Sequence, residues 1–546
     1  MNLTIEIGLL IIISSIIAML LHKLKIPPLI SYVFTGIIAS YFHLKLDENS
    51  INFMIELGII LLLFLAGLNI KLKNLFKLGK ITLIIGEGHD LIMGGIGFII
   101  AYFIMGLNTI ASFYLAIGLT LSSTIVIMRA LTNRKELASP HGKILLGTMI
   151  LQNILAMSAL AIFSTLEDST SISYNLLLLL WKSSVIFFTL LIMGKYLLPR
   201  IFNYAAKSTE LIYLIALAWC FTGVTLSGFF NFSLSIGAFI AGMVIADLPF
   251  SFEIIDKAKG LRDFGILIFF LSVGLKLQIT KAILLNWHFY LLLCFVLFST
   301  PIIFASITSF LKFTKKEIFI MSVIPAQMSE FTLILITFGL TINHISIELY
   351  SMITLIILIT IMTSSWFIEN LNKIYKKFEH KLDFLEWYHI QKPVNKTKDL
   401  KNHVAILGFG KLGQYIAKYY IKKKIDVVVV DWRPELIKTA RTLKCIIVYG
   451  DAGDSDLWEE IKLNKAQTII STIGQNQEDD LALLKWLRKN NHKILKIVET
   501  NVPKDGRELY KNGADIVLFH DKLEWNYLKK HLSIKNKKKL PNLFKI

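Results

Sequence analysis

Five groups of residues in this 546-residue chain have types and spacings that could do chemistry. Gln152 and Asn153 interrupt the apolar run from 144 to 163 with two adjacent amides. At bilayer depth an amide must find hydrogen-bond partners inside the protein, so the pair faces a bundle interior or a wet cavity. Glue between helices explains such a pair equally well when it is taken alone. Ser122, Ser123 and Thr124 place three hydroxyls in another apolar run, where bonding back to their own helix is the plainer account. Pro325, Gln327, Ser329 and Glu330 combine a helix breaker, an amide and a carboxylate. Proline removes a backbone donor, and the carbonyls it frees can coordinate a cation where they line a cavity. Glu87, His89 and Asp90 lie roughly 10 to 15 Å inside the span that begins near Lys80, at 1.5 Å per residue. Glu87 and Asp90 are spaced to share one face, with Lys182 as a counter-charge, and a structural ion pair competes with a functional one. His89 by itself reads as a satisfied core histidine. The fifth group is Gly408, Gly410 and Gly413 with Asp431 beyond them, considered below.

The elements that position these groups are mostly membrane spans. The chain is 54% hydrophobic with a mean hydropathy of +0.61, too apolar for a soluble enzyme, and its length exceeds one domain. Roughly thirteen spans can be drawn between residues 4 and 369, with the fifth at 108–128 and the twelfth at 317–341. Short loops alternate between lysine- and arginine-rich and nearly uncharged, which places the N-terminus outside and the C-terminal region in the cytoplasm. The start of the chain, with Glu6 and no Lys or Arg before the apolar run, reads as a retained span. The net charge of +19 sits in those loops and in the C-terminal region, so no nucleic-acid partner is implied. Cys220, Cys294 and Cys445 have no paired spacing, which leaves no disulfide framework and no metal site.

An internal repeat runs through the spans. Residues 57–68 align with 264–275, matching Gly58 to Gly265 and Gly67 to Gly274, and the same shift places Ser122 and Ser123 on Ser329 and Glu330. Seven spans separate the copies, so they cross the membrane in opposite senses, as in inverted-repeat transporters. Two interrupted helices, the fifth and twelfth spans, would then cross at mid-depth.

Pro27-Pro28-Leu29 with Gly36, the run 63–68, Leu121 to Thr124, Gln152-Asn153, the run 237–242, the run 269–274, and Gln327 with Ser329-Glu330-Phe331 together resemble the Kef-type (CPA2) potassium efflux group of monovalent cation:proton antiporters. The resemblance covers nearly the whole chain. It implies a homodimeric secondary transporter, not an enzyme, in a bacterial inner membrane, with a core domain around crossed broken helices and K+ or Na+ exchanged for H+. It places the ion and proton pathway at Gln152, Asn153, Ser122, Ser123, Thr124, Glu330, Asp90 and Glu87. One departure matters: the family pattern has Gln-Asp where this chain has Gln152-Asn153, and an amide does not titrate in the physiological range. Either another carboxylate takes the proton, in the expected order Glu330, Asp90, Glu87, or the chain moves cations without strict coupling, or it regulates without transport.

Beyond about residue 371 the composition turns charged. The expected division is a transmembrane exchanger domain over 1–371, an amphipathic linker at the membrane face over 372–401, an α/β Rossmann-like domain over 402–522 and a basic tail over 523–546. Strands at 403–407 and 425–430 frame Gly408, Gly410 and Gly413, and Asp431 ends the second. The glycines permit a tight turn and close approach of a pyrophosphate to a helix N-terminus, and the acid suits a ribose hydroxyl. Further strands are expected at 444–449, 467–472, 494–499 and 515–519. The segment resembles the RCK or TrkA-N regulatory domains of potassium transport systems, which implies regulatory NAD(H) or AMP held by Gly408, Gly410, Gly413, Asp431 and Asp451. An ancillary or glutathione-linked regulator is a further implied partner.

Overall fold

The computed structural model describes most of residues 3–382 and 400–519. Residues 24–27, 43–46, 71–78, 165–171, 249–253, 383–399 and 520–546, with shorter stretches elsewhere, lie outside the described part. The expected basic tail, most of the linker, Asp451 and the side chain of Lys182 therefore lie outside it as well. The chain divides into two compact units, 1–387 and 388–546.

The secondary structure of the first unit's described residues is mostly α-helical: α1 (Leu3–Lys23), α2 (Pro28–Tyr41), α3 (Glu48–Asn69), α4 (Lys80–Ile99), α5 (Thr109–Thr120), α6 (Thr124–Asn133), α7 (Pro140–Phe163), α8 (Ile172–Tyr196), α9 (Leu198–Ala205), α10 (Thr209–Phe229), α11 (Leu234–Ala246), α12 (Lys259–Lys276), α13 (Lys281–Leu285), α14 (Trp287–Phe310), α15 (Lys315–Val323), α16 (Glu330–Thr341), α17 (Ile347–Glu369) and α18 (Leu371–Phe378). Every span drawn from the sequence falls on one of these, the fifth on α5 with α6 and the twelfth on α15 with α16. Helix starts follow from local chemistry. Asp47, Asn108, Ser139 and Ser346 each turn a side-chain oxygen to a backbone N–H of the first turn, and Thr314 with Glu317 forms a reciprocal capping box.

Among the described residues six helices are long and apolar enough to cross a bilayer, and five more apolar helices have 10–17 residues. They pack as two groups. In one, α2, α3, α11 and α12 adjoin one another with α1 and α10 outside; in the other, α4, α5, α7, α14 and α16 pack together.

Glycines set the close approaches of the first group. A Cβ on Gly242 would lie 2.1 Å from the Phe64 carbonyl oxygen, and one on Gly67 would lie 2.3 Å from that of Phe239, so α3 and α11 touch backbone to backbone. Gly36 and Gly274 do the same for α2 and α12, at 2.3 Å from Leu271 O and 2.2 Å from Val33 O. These two contacts are the inverted-repeat copies of each other. α2 and α11 begin at Pro28 and Leu234, 206 residues apart. The broken helices keep that spacing, since α5 and α15 begin at Thr109 and Lys315, and α6 and α16 at Thr124 and Glu330. The repeat register expected from α3 and α12 is therefore off by one at the breaks: Ser123 corresponds to Ser329, and both are N-caps. Thr124, not Ser123, occupies the place equivalent to Glu330.

The second unit carries a six-stranded parallel sheet in the order β3-β2-β1-β4-β5-β6, formed by β1 (Val404–Leu407), β2 (Val427–Asp431), β3 (Ile446–Tyr449), β4 (Thr468–Ser471), β5 (Leu495–Glu499) and β6 (Ile516–Leu518). Val404 pairs with Val427 on one side and Thr468 on the other. The central strands are buried on both faces, as their runs of Val and Ile require, and helices α19 (Lys411–Lys422), α20 (Ser455–Glu460), α21 (Gln477–Asn490) and α22 (Pro503–Lys511) alternate with the strands. The order turns outward in both directions from between β1 and β4, which makes the C-terminal end of β1 the switch point of a doubly wound sheet.

Candidate ion site at the helix crossing and nucleotide cradle

The two breaks meet face to face. The non-helical residues 121–123 and 324–329 pass each other, and an antiparallel bridge joins Ser122 to Met328. Ser122 Oγ donates to the Pro325 carbonyl at 3.0 Å, which also accepts the Gln327 N–H at 2.8 Å. Ser123 caps α6 by accepting from the Val126 N–H, and its hydroxyl donates to Glu330 Oε2 at 2.8 Å. Ser329 caps α16 through the Phe331 N–H. Two half-helix N-termini thus converge on one buried carboxylate. Each brings a partial positive charge, which an ionised Glu330 would offset.

Gln152 and Asn153 take different sides of this crossing. Gln152 is buried and satisfied: its Oε1 accepts the Ser122 N–H at 3.0 Å, while its Nε2 donates to Asp90 Oδ1 and to the Thr120 carbonyl, both at 2.9 Å. It locks the end of α5 to the break and to α4. Asn153 points the other way, with Oδ1 accepting from Thr124 Oγ1 at 3.4 Å.

A cavity of about 730 Å³ opens beside the crossing between the two groups of helices. Thr124, Asn153 and Glu330 line it, and it runs along α6 past Arg129 to Asn133, opposite Arg262 and Asp263 of α12. Of the residues expected around a passage, Asn153, Thr124 and Glu330 reach this cavity; Ser122, Ser123, Gln152 and Asp90 are buried and do not line it. Glu87 is exposed on α4 where Asp90 is buried, and the two acids remain within electrostatic reach of each other. Asp90 is bound to His89 and Gln152.

Other residues of the crossing carried no sequence signal of their own. Thr332 Oγ1 donates to the Gly118 carbonyl at 2.8 Å and ties α16 to α5. Thr360 and Ser364, one turn apart on α17, support the second break: the Thr360 hydroxyl accepts the Met328 N–H at 3.4 Å, and that of Ser364 donates to Gln327 Oε1. Two hydroxyls at helical spacing in an apolar span are the pattern that finds such a support. Below the crossing, Glu136 in the turn between α6 and α7 binds Arg134 at 2.9 Å and His141 at 3.3 Å. Burial pushes its carboxyl up, but the His141 and Arg134 contacts outweigh burial and hold it at about 2.

In the second unit the glycine turn adopts the form a phosphate cradle needs. Gly408 has φ +93°, a region that favours glycine, and a Cβ on Gly413 would lie 2.4 Å from the Gly408 carbonyl, so α19 packs directly on the turn. Gly410 heads α19 with no side-chain cap, leaving its first N–H groups open. Asp431 ends β2 and is buried, its Oδ2 accepting the Phe409 N–H at 2.6 Å. Thr472 closes the far side by donating to the Gly408 carbonyl at 2.8 Å. Beside it, Asp480 accepts from Ser471 Oγ at 2.6 Å; burial first, then the nearby charges of Asp479 and Glu499, push its carboxyl up to about 7 against that hydrogen bond. The turn, the open helix end and the acid fit a nucleotide.

Comparison with known proteins agrees with this division. The family model for the transmembrane sodium/hydrogen exchanger matches residues 9–369, and that for the TrkA-N domain matches residues 404–520. The chain is 24% identical over 516 residues to the chloroplastic K(+) efflux antiporter 2 of Arabidopsis thaliana, covering 90% of this chain but 43% of that protein, so it spans less than half the length of that relative. It is 24% identical over 489 residues to the putative cation/proton antiporter YbaL of Escherichia coli (strain K12), covering 86% of each. The solved structure of the sodium proton antiporter MjNhaP1 from Methanocaldococcus jannaschii at pH 8 aligns with a TM-score of 0.48 at 16% identity, over 70% of this chain and 99% of that one.

Proposed function

The chain belongs to the sodium/hydrogen exchanger family, and from that premise we propose that it exchanges a monovalent cation for protons across a bacterial inner membrane, under control of a nucleotide bound to its TrkA-N domain. K+ is the proposed cargo, in keeping with the potassium efflux named for its Arabidopsis relative, and Na+ is the alternative. The charge of the loops supports an outside N-terminus and a cytoplasmic TrkA-N domain. A homodimer is the proposed assembly.

One observation carries the reading: the cavity reaches the crossing where Glu330, Thr124 and Asn153 present oxygen atoms together. A cation entering along α6 exchanges its water for the Thr124 hydroxyl, the Asn153 carbonyl oxygen and the Glu330 carboxylate. Glu330 supplies the charge that makes this site attractive despite two helix N-termini pointing at it. Ser123 and Gln152 position the site by holding Glu330 and the break. Movement of one helix group against the other would then present the crossing to the opposite side. A nucleotide bound at Gly408, Gly410 and Gly413, with its ribose at Asp431, supplies a ligand-dependent bias on that movement.

Asn153 favours a second reading, uncoupled cation flux, because it withholds the carboxylate expected there. Proteoliposome measurements of K+ and H+ flux separate the two. Exchange predicts opposed, stoichiometric movements that Glu330→Gln removes; K+ movement without H+ movement selects the uncoupled reading, and no flux under any gradient rejects both.

A further inference from the structure

His89 and Asp90 form a buried pair behind the crossing. His89 is 0% and Asp90 6% exposed, and His89 Nδ1 lies 2.9 Å from Asp90 Oδ1. The same oxygen accepts from Gln152 Nε2, and the other end of that amide takes the Ser122 N–H. The histidine is thus three hydrogen bonds from the break in α5–α6. Its ring stacks on Phe304 with centroids 4.4 Å apart.

What sets the pair apart is its unfilled half. Among the described residues His89 Nε2 and Asp90 Oδ2 have no hydrogen-bond partner, and Thr148 Oγ1, one turn before Gln152 on α7, is also buried without one. Each such atom is destabilising when buried without a partner, and well-packed apolar residues avoid the desolvation cost of a buried ionic pair. A structural strut has no use for the open atoms. A group that binds and releases a proton does, because one of its two states must hold a spare acceptor. As neutral imidazole donating Nδ1–H to Asp90, His89 keeps a lone pair on Nε2; a proton given up by hydronium, which leaves as water, forms the Nε2–H bond, and the Asp90 carboxylate balances the imidazolium charge.

We propose that the His89–Asp90 pair is a proton-binding site coupled through Gln152 to the helix crossing, and that it supplies the proton step which the amide of Asn153 cannot. This rests on the exchange reading above for its role, but not for its existence. Protonation changes the charge beside Asp90 Oδ1 and so alters its hold on Gln152, which fixes Ser122 and the end of α5. Among the described residues, Glu87, three residues before Asp90 on the same helix, is within electrostatic reach of the pair. Glu87 on α4 is exposed; Lys143 and His141 lie nine or more residues from Gln152 along α7, about 13 Å or more at 1.5 Å per residue. On α14 the facing residue is Phe304, with Cys294 ten residues off and Tyr290 and His288 farther still. On α5 the contact is Thr120, and Tyr114 is six residues away. Lys315, Lys316 and Glu317 occupy the first turn of α15, where Glu317 is held by Thr314.

The test uses the full chain in lipid nanodiscs with ¹⁵N-labelled histidine, titrated from about pH 5 to about pH 9. The His89 signals, assigned by their loss in His89→Gln, are expected to titrate within that range, to shift midpoint on addition of K+, and to leave the range in Asp90→Asn. A His89 that keeps one protonation state throughout, or titrates without responding to Asp90→Asn or K+, overturns the proposal. Where His89→Gln fails to assemble, Asp90→Asn, which keeps an acceptor oxygen at the same place, carries the comparison. Flux assays separate this from the exchange reading. If wild type exchanges and Asp90→Asn keeps its pH limb, about tenfold per pH unit for one titrating group, the pair is not the proton site while exchange stands. If wild type does not exchange but His89 titrates and answers to K+, the proton site stands and exchange falls.

Discussion

The Ser123 hydroxyl donates to the Glu330 carboxylate at 2.8 Å, across 207 residues of sequence. Ser123 is the N-cap of α6 and Glu330 the first residue of α16, so this bond closes the point where two half-helices begin. Each N-terminus is equivalent to roughly half a positive charge, and one carboxylate between two of them approaches neutrality without a cation. A monovalent cation adds charge to a centre already balanced, which favours weak, reversible occupancy over permanent binding.

Replacing Glu330 by Gln preserves the shape and the contact with Ser123 but removes the balancing charge. Loss of one partner from a buried charge arrangement costs about 3–5 kcal/mol, so cation affinity is expected to fall by about 100-fold or more. Labelled-cation uptake into proteoliposomes should drop to background while size-exclusion behaviour stays normal. Uptake at wild-type rates in this variant would show that Glu330 takes no part in the pathway.

The glycine contacts predict matched damage at symmetry-related sites. Gly242→Leu drives a side chain into the Phe64 backbone and Gly274→Leu does the same at Val33, with no flexible side chain at either place to yield. Overpacking of this kind costs typically 1–3 kcal/mol or more. Both variants should lower the thermal transition of the detergent-solubilised chain, whereas Gly95→Leu on α4, where nothing lies within 4 Å, should leave it unchanged.

The span pattern and the broken helices were legible because apolar length, proline and mid-depth polar residues are local signals. The glycine turn was legible for the same reason, with strands ending within two residues of their expected limits. The register at the crossing was not. Aligning Gly58 with Gly265 and Gly67 with Gly274 sets a shift of 207, while the half-helices start 206 apart, and a one-residue slip between α3 and the breaks leaves no trace in composition. Nor could the sequence divide Gln152 from Asn153. Adjacent helical residues point about 100° apart, and only the packing of α4 and α5 against α7 decides which amide is buried and which meets the cavity.

In the second unit, Asp480 predicts an unusual pH dependence. Its carboxyl stands at about 7 folded against about 3.8 in an unfolded chain, so the folded domain binds the proton more tightly. Stability is then greatest below the unfolded value and falls as pH rises through the interval up to about 7, by an amount on the order of 4 kcal/mol. Asp480→Asn keeps an oxygen for Ser471 and removes the penalty. Hydrogen exchange of β4 and α21 in the full chain should slow in the variant at pH above about 7 and match wild type at pH near 4; equal protection at both would remove Asp480 as the cause.

Asp431 gives a prediction with two separable parts. Its carboxylate accepts the Phe409 N–H at 2.6 Å, so it holds the glycine turn as well as facing the place where a ribose would lie. Asp431→Ala removes both functions, whereas Asp431→Asn keeps a neutral acceptor for Phe409 and loses only the charge. Hydrogen bonds to a charged group contribute about 1.5–3 kcal/mol, which corresponds to roughly 10- to 150-fold in affinity. Calorimetry of the full chain with NADH and with AMP should show both ligands weakened by Asp431→Ala, since both carry the same ribose. Asp431→Asn should be intermediate if the turn itself matters. Gly408→Ala provides the control for the cradle: at φ +93° with a Cβ 3.0 Å from Thr472 Oγ1, it distorts the turn while leaving the acid in place. Loss of binding in Gly408→Ala with none in Asp431→Ala would assign the pyrophosphate to the turn and exclude the carboxylate from the ribose.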